Sequence, residues 1–182
     1  RKESEQKFFK KYKFVKIKSK KLKLKKGEIN KIKIIEKIFN KNPDLIVTFG
    51  CSILSKQFIN KFNNKIINVH LGLSPYYRGT GTNFWPFVNN ELQFLGATFL
   101  SIDKGVDTGP ILHQFRSRVY EKDNIHKIGN RTIQDLINPL KKLILNYKNL
   151  KKIKQWKYKK FKYYKEKDFE DDSVIKLFQN YK

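Results

Sequence analysis

The hydrophobic residues of this chain follow two periods, one typical of helices and one typical of strands. Isoleucines recur at helical spacing between positions 29 and 38, which predicts an amphipathic helix that ends before Asn42-Pro43. Positions 44–49 form a continuous apolar run that Gly50 closes, a pattern typical of a strand buried on both faces.

The next elements complete a recognisable unit. Residues 55–62 predict a short helix, and residues 65–69 predict a second buried strand. A strand, a helix and a strand with short links form a βαβ unit, in which the two strands are parallel. The sequence therefore predicts an α/β fold with a doubly wound, mostly parallel sheet.

The remaining segments are less regular. Residues 13–18 alternate weakly, as a short strand does, and residues 95–102 and 111–119 predict a later antiparallel pair. One long amphipathic helix is predicted over 124–148, with an apolar stripe of Ile125, Ile128, Ile133, Leu136, Ile137, Leu140 and Leu143. The basic segment after position 150 fits a hairpin, an edge strand or a tail. We therefore expect one domain over 1–150 and a basic C-terminal extension over 151–182.

The formal net charge of +25 has two explanations. Lys, Asn, Ile, Phe and Tyr are abundant, whereas Ala, Gly, Pro and Arg are scarce, as AT-rich codons would produce in any protein. The lysines are spread along the chain instead of forming one stripe, which favours genomic composition over a functional anion-binding surface. Either origin gives a positive field that speeds the encounter with anionic substrates.

Cysteine usage and hydropathy indicate the compartment. The single cysteine, Cys51, excludes an internal disulfide framework and a zinc site made of cysteines. No run of about 18 apolar residues is present, so we expect no membrane span, and no signal peptide is recognised. These features predict a cytoplasmic protein. The chain contains no methionine, and we expect both of its ends to be boundaries within a longer protein.

Polar residues follow both strands of the predicted βαβ unit. Cys51 and Ser52 come after the first strand, and Asn68 and His70 lie at the end of the second. Alternation along a strand places Asn68 and His70 on one face, and open α/β sheets bind ligands beyond the carboxyl ends of their strands. An amide beside an imidazole can hold a carbonyl oxygen and handle its proton. The alternative is structural, with Asn68 capping the strand and His70 satisfied within a loop.

A third motif, SIDKGVDTGPIL at 101–112, contains Asp103 and Asp107 in a glycine-containing loop. An EF-hand calcium loop would need a bidentate acid at its twelfth position, which this segment lacks. Asn-x-His, then S-P-x-Y-R-G, then D-x-G-x-D-T-G-P are together more specific than any one of them.

These motifs resemble those of the folate-dependent formyltransferases over about residues 43–114. The matching text is PDLIVTFGCSIL, INVHLGLSPYYRGTGTNFWPF and GATFLSIDKGVDTGPIL. One departure is HLGLSP at 70–75, where the family more often has H-P-S-L-L-P. The resemblance implies a Rossmann-like formyltransferase fold whose first strand is missing from this chain, and a partial catalytic domain over 1–150.

The resemblance also implies roles for individual residues. The family's catalytic trio falls on Asn68, His70 and Asp107. Its co-substrate, 10-formyltetrahydrofolate, would be held by two segments: Cys51, Ser52, Ile53 and Leu54, and Ile102, Asp103, Lys104, Gly105 and Val106. The chemistry agrees, because formyl transfer to an amine passes through an oxyanion that an amide and a protonated imidazole stabilise while a carboxylate accepts a proton. No metal is needed.

The motifs favour one class of acceptor amine over two others. The R-G-x-x-x-N-x-W-x-F pattern at 78–87 is similar to that of sugar N-formyltransferases. Its arginine, Arg78, can bind a phosphate through two hydrogen bonds. We expect acceptor contacts at Ser74, Arg78, Gly79 and Asn83, and a small phosphorylated acceptor, favoured as an amino-sugar nucleotide. The alternative acceptors are glycinamide ribonucleotide and methionyl-tRNA. A homodimer is compatible with any of these acceptors. A simpler interpretation of this pattern is structural, with the core face of a short helix formed by Phe84, Trp85 and Phe87.

A different class of function is a basic nucleic-acid-binding module on a degenerate formyltransferase core. Its stacking aromatic residues would be Trp156, Tyr158, Phe161, Tyr163 and Tyr164. The presence of all three catalytic positions argues against nucleic acid as the partner. An NAD-binding protein is disfavoured because no G-x-G-x-x-G follows a strand.

Overall fold

The computed structural model describes residues 2–16 and 18–181 and places a four-stranded sheet at the centre of the fold. The strands of the chain are β1 (Ile46–Phe49), β2 (Ile66–His70), β3 (Tyr77–Gly79), β4 (Gly96–Ser101), β5 (Ile111–Arg116) and β6 (Lys162–Tyr164). The central sheet has the order β1-β2-β4-β5, and β3 and β6 form a small parallel sheet of their own.

Strand direction agrees with the predicted unit. β1 and β2 are parallel, β4 is antiparallel to β2, and β5 is antiparallel to β4, so three of the four central strands run in one direction. The predicted βαβ unit, the α/β class and the later antiparallel pair are confirmed. The helices are α1 (Lys2–Phe8), α2 (Ile32–Phe39), α3 (Lys56–Lys61), α4 (Trp85–Val88), α5 (Ile125–Asp135), α6 (Ile137–Leu145) and α7 (Asp171–Asn180).

The βαβ crossover is fixed by a cap and a small core. The Ser55 hydroxyl accepts a hydrogen bond from the Phe58 backbone N–H at 3.1 Å, which starts α3. One core cluster then joins α2, α3 and β2 through Ile35, Leu54, Phe58, Phe62 and Ile66. This packing fixes the position of β2 relative to α2 and α3. It therefore also fixes the position of the residues that follow β2.

β1 differs from its prediction as a strand buried on both faces. Val47 is 39% exposed and Phe49 is 50% exposed, whereas Thr48 between them is buried. The prediction is wrong because β1 is the outer strand of the described sheet, with β2 on one side only. An apolar run does not reveal whether anything covers its second face.

The predicted helix over 124–148 is also wrong, because the structure divides it into α5 and α6 at Leu136. Pro139 explains the break. Proline lacks the N–H that would bond the carbonyl of Asp135, and its ring collides with that carbonyl in a continuous helix. The apolar stripe is divided with the helix: Leu143 of α6 is buried, while Ile137 is exposed.

Residues 13–18 form no strand within the part that the structure describes, and Ile17 lies outside the described residues. The reason is local. The backbone N–H of Lys13 donates to the Lys10 carbonyl, and that of Val15 donates to the Tyr12 carbonyl. Turns therefore satisfy backbone groups that a strand would leave for a neighbour.

Residues 151–181 pack onto the rest of the chain. β6 pairs in parallel with β3, and α7 contacts α4. The Trp85 and Tyr164 rings stack at 4.0 Å between centroids, and Leu177 of α7 is buried in the same cluster as Trp85 and Tyr77. The edge strand was one of three predicted forms of this segment, while α7 was not predicted.

Trp85 and Phe87 are core residues of α4, and Phe84 is half-buried beside them. This agrees with the simpler, structural interpretation of the pattern at 78–87. No helix formed by residues 2–16 and 18–181 combines the length and the apolar content needed to cross a bilayer.

A buried ion pair anchors the start of α5. Arg131 donates two hydrogen bonds to the Asp123 carboxylate, at 2.6 and 2.9 Å, and the Asp123 side chain is 1% exposed. The hydrogen bonds from Arg131 hold the pKa of Asp123 well below its usual value, although burial acts in the opposite direction. A carboxyl with a depressed pKa in the folded state stabilises the fold above its unfolded-state pKa of about 3.9, and this stabilisation is lost as the pH falls.

We expect Asp123→Asn to lower the free energy of unfolding at neutral pH by about 3–5 kcal/mol, because it leaves the Arg131 charge buried without its partner. Urea unfolding at pH 7 and at pH 3 measures this, and the difference between variant and wild type should shrink at pH 3. Asp135→Asn is the matched control, since the Arg118 side of its ion pair is 56% exposed and such pairs contribute about 0–1 kcal/mol. Equal losses in both variants would contradict the buried role of Asp123.

Candidate active site

Three predicted residues meet at the carboxyl end of β2. The amide Nδ2 of Asn68 donates to Oδ1 of Asp107 at 3.2 Å, and Nδ1 of His70 lies 3.4 Å from Oδ2 of the same carboxylate. Asn68 and His70 share a face of β2, as alternation requires. Asp107 reaches them from the loop that joins β4 to β5.

Asp107 has an unusual backbone conformation, with φ of 53°. This is the left-handed region, which aspartate tolerates better than most residues but at a cost. Its Oδ2 also accepts a hydrogen bond from the backbone N–H of Gly79 at 2.9 Å, and its side chain is 10% exposed. A carboxylate with three polar neighbours is thus held in a position with little exposure to solvent.

The contacts of His70 fix its ring. Nε2 lies 2.9 Å from the carbonyl oxygen of Tyr77. A carbonyl oxygen only accepts, so Nε2 carries a hydrogen and donates it. Nδ1 then faces Asp107, and a proton on Nδ1 makes the two side chains an ion pair. The arrangement can hold a proton between imidazole and carboxylate and give it up to a reacting group.

Thr48, which sequence reasoning missed, orients the Asn68 amide. Its hydroxyl donates to Oδ1 of Asn68 at 2.9 Å, so the amide's NH₂ group faces Asp107. One signal was available in the sequence, because Thr48 is the polar residue inside an apolar run. The structure adds that Thr48 is the register partner of Asn68 across β1 and β2.

The loop after β2 packs against the His70 ring. A Cβ added to Gly72 would lie 2.8 Å from His70 Nε2 and 2.7 Å from Thr82 Cβ, so only glycine fits at this position. The Thr98 hydroxyl donates to the Gly72 carbonyl at 2.6 Å and accepts from the Ser74 N–H at 3.0 Å. Ser74, a predicted acceptor contact, is fully buried, and its hydroxyl has no partner among the described residues.

The first predicted folate segment is held by Asn30. Its amide donates to the Ile53 carbonyl at 2.8 Å and accepts from the Ser55 N–H at 2.7 Å. Ser52 accepts a hydrogen bond from the Gly27 N–H. Leu54 is buried, whereas Cys51 is exposed and Ile53 is 74% exposed. An isoleucine this exposed offers an apolar surface to a ligand.

Cys51 lies close enough to the trio for the Asp107 carboxylate to affect the pKa of its thiol. Partial burial raises the pKa of its thiol, and the Asp107 carboxylate adds to this rise against a hydrogen bond with Thr48. The thiol therefore stays neutral at physiological pH and is not set up as a nucleophile.

The second predicted folate segment is closed on itself by Asp103. Its Oδ1 accepts from the Gly105 N–H at 3.0 Å and from the Thr108 hydroxyl at 2.7 Å. Ile102 packs towards the α2–α3 core, Val106 is half-buried, and the remaining positions, Lys104 and Gly105, are exposed.

The predicted acceptor residues have separate surroundings. Arg78 lies over the Phe161 ring, with 4.9 Å from its guanidinium carbon to the ring centroid, and its Nη2 donates to Gln155 at 3.0 Å. Its Nε is buried without a partner among the described residues. Gly79 supports Asp107 through its N–H, and a Cβ there would lie 2.0 Å from the Tyr164 carbonyl oxygen. Asn83 is half-buried near Gly129 of α5.

The aromatic residues of the C-terminal segment divide into two groups. Tyr158 and Tyr164 pack against Tyr76 and Trp85, respectively. The exposed members are Trp156, Phe161 and Tyr163. Across residues 2–16 and 18–181, no cluster of three or more His, Cys, Asp or Glu side chains is arranged to hold a metal ion.

Comparison with known proteins shows which family the chain is similar to. The formyl transferase family model matches residues 2–138. Methionyl-tRNA formyltransferase of Thermodesulfovibrio yellowstonii is 32% identical over 123 residues, which is 63% of this chain and 39% of that protein. GDP-perosamine N-formyltransferase of Brucella melitensis is 32% identical over 107 residues, which is 58% of this chain and 41% of that protein. The chain thus spans about two fifths of the length of these relatives.

A solved structure gives the same result for the fold. The formyltransferase PseJ from Anoxybacillus kamchatkensis, in complex with UDP-4,6-dideoxy-4-formamido-L-AltNAc and tetrahydrofolate, is 27% identical to this chain. The match has a TM-score of 0.59 and covers 90% of this chain and 80% of that one. The predicted Rossmann-like formyltransferase fold is therefore confirmed, and the chain belongs to the formyl transferase family.

Proposed function

We propose that this chain transfers the formyl group of 10-formyltetrahydrofolate to the primary amine of a small phosphorylated acceptor, an amino sugar linked to a nucleotide. The observation that carries the proposal is the contact of the Asp107 carboxylate with both Asn68 and His70. In formyl transfer the amine nitrogen attacks the formyl carbon, and the bond from that carbon to the folate nitrogen breaks. The acceptor nitrogen loses a proton and the folate nitrogen gains one.

Each member of the trio has a role that its contacts support. A carboxamide carries two N–H donors, so Asn68 can bond Asp107 with one and the oxyanion of the tetrahedral intermediate with the other. His70, protonated beside Asp107, supplies positive charge to the same oxygen. Asp107 accepts the proton that leaves the amine, directly or through water.

The co-substrate fits the residues beside the trio. Ile53, within the predicted folate segment 51–54, presents an apolar side chain that is 74% exposed. The segments 51–54 and 102–106 would hold the folate, which supplies the formyl group. The chain's own residues then orient the reacting carbon and move the proton.

The proposed acceptor class has two supports. Two relatives, GDP-perosamine N-formyltransferase and PseJ with its UDP-sugar, are associated by name with sugars linked to nucleotides. Arg78, which precedes Asp107's partner Gly79, provides a guanidinium whose buried Nε has no partner among residues 2–16 and 18–181. The net charge of +25 also favours encounter with an anionic acceptor.

Mass spectrometry of reaction products tests the proposal. The purified chain is incubated with 10-formyltetrahydrofolate and a panel of GDP-, UDP- and dTDP-linked amino sugars, glycinamide ribonucleotide and methionyl-tRNA. We expect a product 28 mass units heavier than one of the sugar acceptors, the mass change being that of one formyl group replacing hydrogen. A formylated ribonucleotide or tRNA instead would overturn the acceptor class, and no formylated product would overturn the activity.

We expect His70→Ala and Asp107→Asn each to lower kcat by about 10²-fold or more, because each removes charge or proton handling in the transition state. The double variant should lose much less than the product of the two single losses, since both side chains act on one event. Steady-state kinetics and calorimetric titration with a folate analogue measure this, and analogue binding should change little. His113→Ala and Asp44→Asn, at exposed positions, are the matched controls.

A milder variant tests the orientation of the amide. Thr48→Val removes the hydroxyl that holds Asn68, and we expect kcat to fall by about 3- to 10-fold, the equivalent of one hydrogen bond. Thr80→Val, at an exposed position, serves as its control. A kcat equal to that of the control would show that Asn68 needs no partner to face the reacting oxygen.

A further inference from the structure

Gln155 lies beyond the residues that the family model matches, and its side chain reaches the loop that carries Asp107. Its Nε2 donates to the carbonyl oxygens of Asp107, at 2.9 Å, and Gly109, at 2.8 Å. Its Oε1 accepts from Nη2 of Arg78 at 3.0 Å. One half-buried amide thus joins the C-terminal segment, β3 and the loop after β4.

The chemistry of its partners fixes the orientation of this amide. A guanidinium only donates and a carbonyl oxygen only accepts, so Oε1 faces Arg78 and Nε2 faces the two carbonyls. A rotated amide would place its oxygen against two other oxygens and its NH₂ group against a cation. The Phe161 ring beneath Arg78 holds the guanidinium in place.

The Asp107 peptide needs such a support. A residue other than glycine in the left-handed region pays a conformational cost of about 1–2 kcal/mol and persists there only when its surroundings hold it. The carboxylate is held by Asn68 and Gly79, and the carbonyl on the other side of the same residue is held by Gln155. Both ends of Asp107 are therefore fixed.

The neighbouring turn leaves little room for an alternative path. A Cβ at Gly109 would lie 1.7 Å from the carbonyl oxygen of Ser101, so the chain passes directly against the end of β4. Gln155 holds the carbonyl of this same glycine. Without it, the carbonyl oxygens of Asp107 and Gly109 lose this donor at once.

We propose that Gln155 is a positioning residue that holds Asp107 in the conformation needed for proton transfer. The catalytic role of Gln155 rests on the proposed formyl transfer. Its support of the Asp107 backbone rests on the hydrogen bonds alone. Proton transfer and nucleophilic attack depend steeply on distance, and a displacement of about 1 Å can cost about 10²-fold in rate. Gln155 acts on proton transfer through Asp107, and its contact with Arg78 is a separate link to acceptor binding.

Two variants separate positioning from simple packing. Gln155→Met keeps the length of the side chain and removes both donors, whereas Gln155→Glu keeps the contact with Arg78 but places an oxygen against two carbonyls. We expect kcat to fall about 10- to 100-fold in both, because both disturb the support of Asp107. KM for the acceptor reports the Arg78 contact separately, since Gln155→Met removes that contact and Gln155→Glu keeps it. Gln179→Met, at an exposed position of α7, is the control.

Hydrogen exchange gives a readout that does not depend on catalysis. Amides of residues 102–109 should exchange faster in both variants than in the control, with the rest of the chain unchanged. Unchanged kcat together with unchanged exchange would overturn the inference, as would faster exchange over the whole chain, which would mean that Gln155 serves the fold. If the wild-type chain formylates no amine, the proposed function fails, and exchange in the loop alone decides whether Gln155 positions Asp107.

Discussion

The site depends on one carboxylate that several segments share. Asp107 accepts hydrogen bonds from the amide of Asn68 and the backbone N–H of Gly79 and faces Nδ1 of His70. β2 and β3 thus meet at the loop after β4, and each contributes a half-buried N–H donor that the Asp107 carboxylate accepts. Since a fully buried donor without an acceptor costs about 1–3 kcal/mol and a half-buried one less, the three segments stabilise one another in this arrangement.

The C-terminal segment supports this arrangement from outside. β6 pairs with β3, so the strand that presents Gly79 has a neighbour on its far side. The carbonyl of Tyr164 accepts from the Thr80 N–H at 2.8 Å, while the Tyr164 ring stacks on Trp85. A segment that composition alone describes as a basic extension therefore forms part of the scaffold of the site.

Sequence reasoning succeeded where the determining contacts are local. Asn68 and His70 could be placed together because alternation along a strand is fixed by the backbone, and Asp107 could be added because its loop motif resembles that of a known family. The exposure of Val47 could not be predicted, since a run of apolar residues does not show how many neighbours a strand will have. Pro139 was a local signal that the length of the apolar stripe concealed.

The rest of the site depends on contacts between distant positions. Thr48 meets Asn68 across 20 positions, and Gln155 meets Asp107 across 48. Gln155 lies outside every quoted motif, and Thr48 lies within PDLIVTFGCSIL but was assigned no role there. Their roles follow from where β1 and the C-terminal segment pass, which periodicity does not determine.

Gly72 couples two distant positions of the sequence. The space beside the imidazole of His70 is already filled by Thr82, so a side chain at position 72 has nowhere to go. A relative with a side chain there, such as the serine of the commoner H-P-S-L-L-P pattern, must have a smaller residue in place of Thr82 or a turned histidine ring. Positions 72 and 82 should therefore vary together across the family, and the pair of residues found there would tell from sequence alone which way the histidine faces.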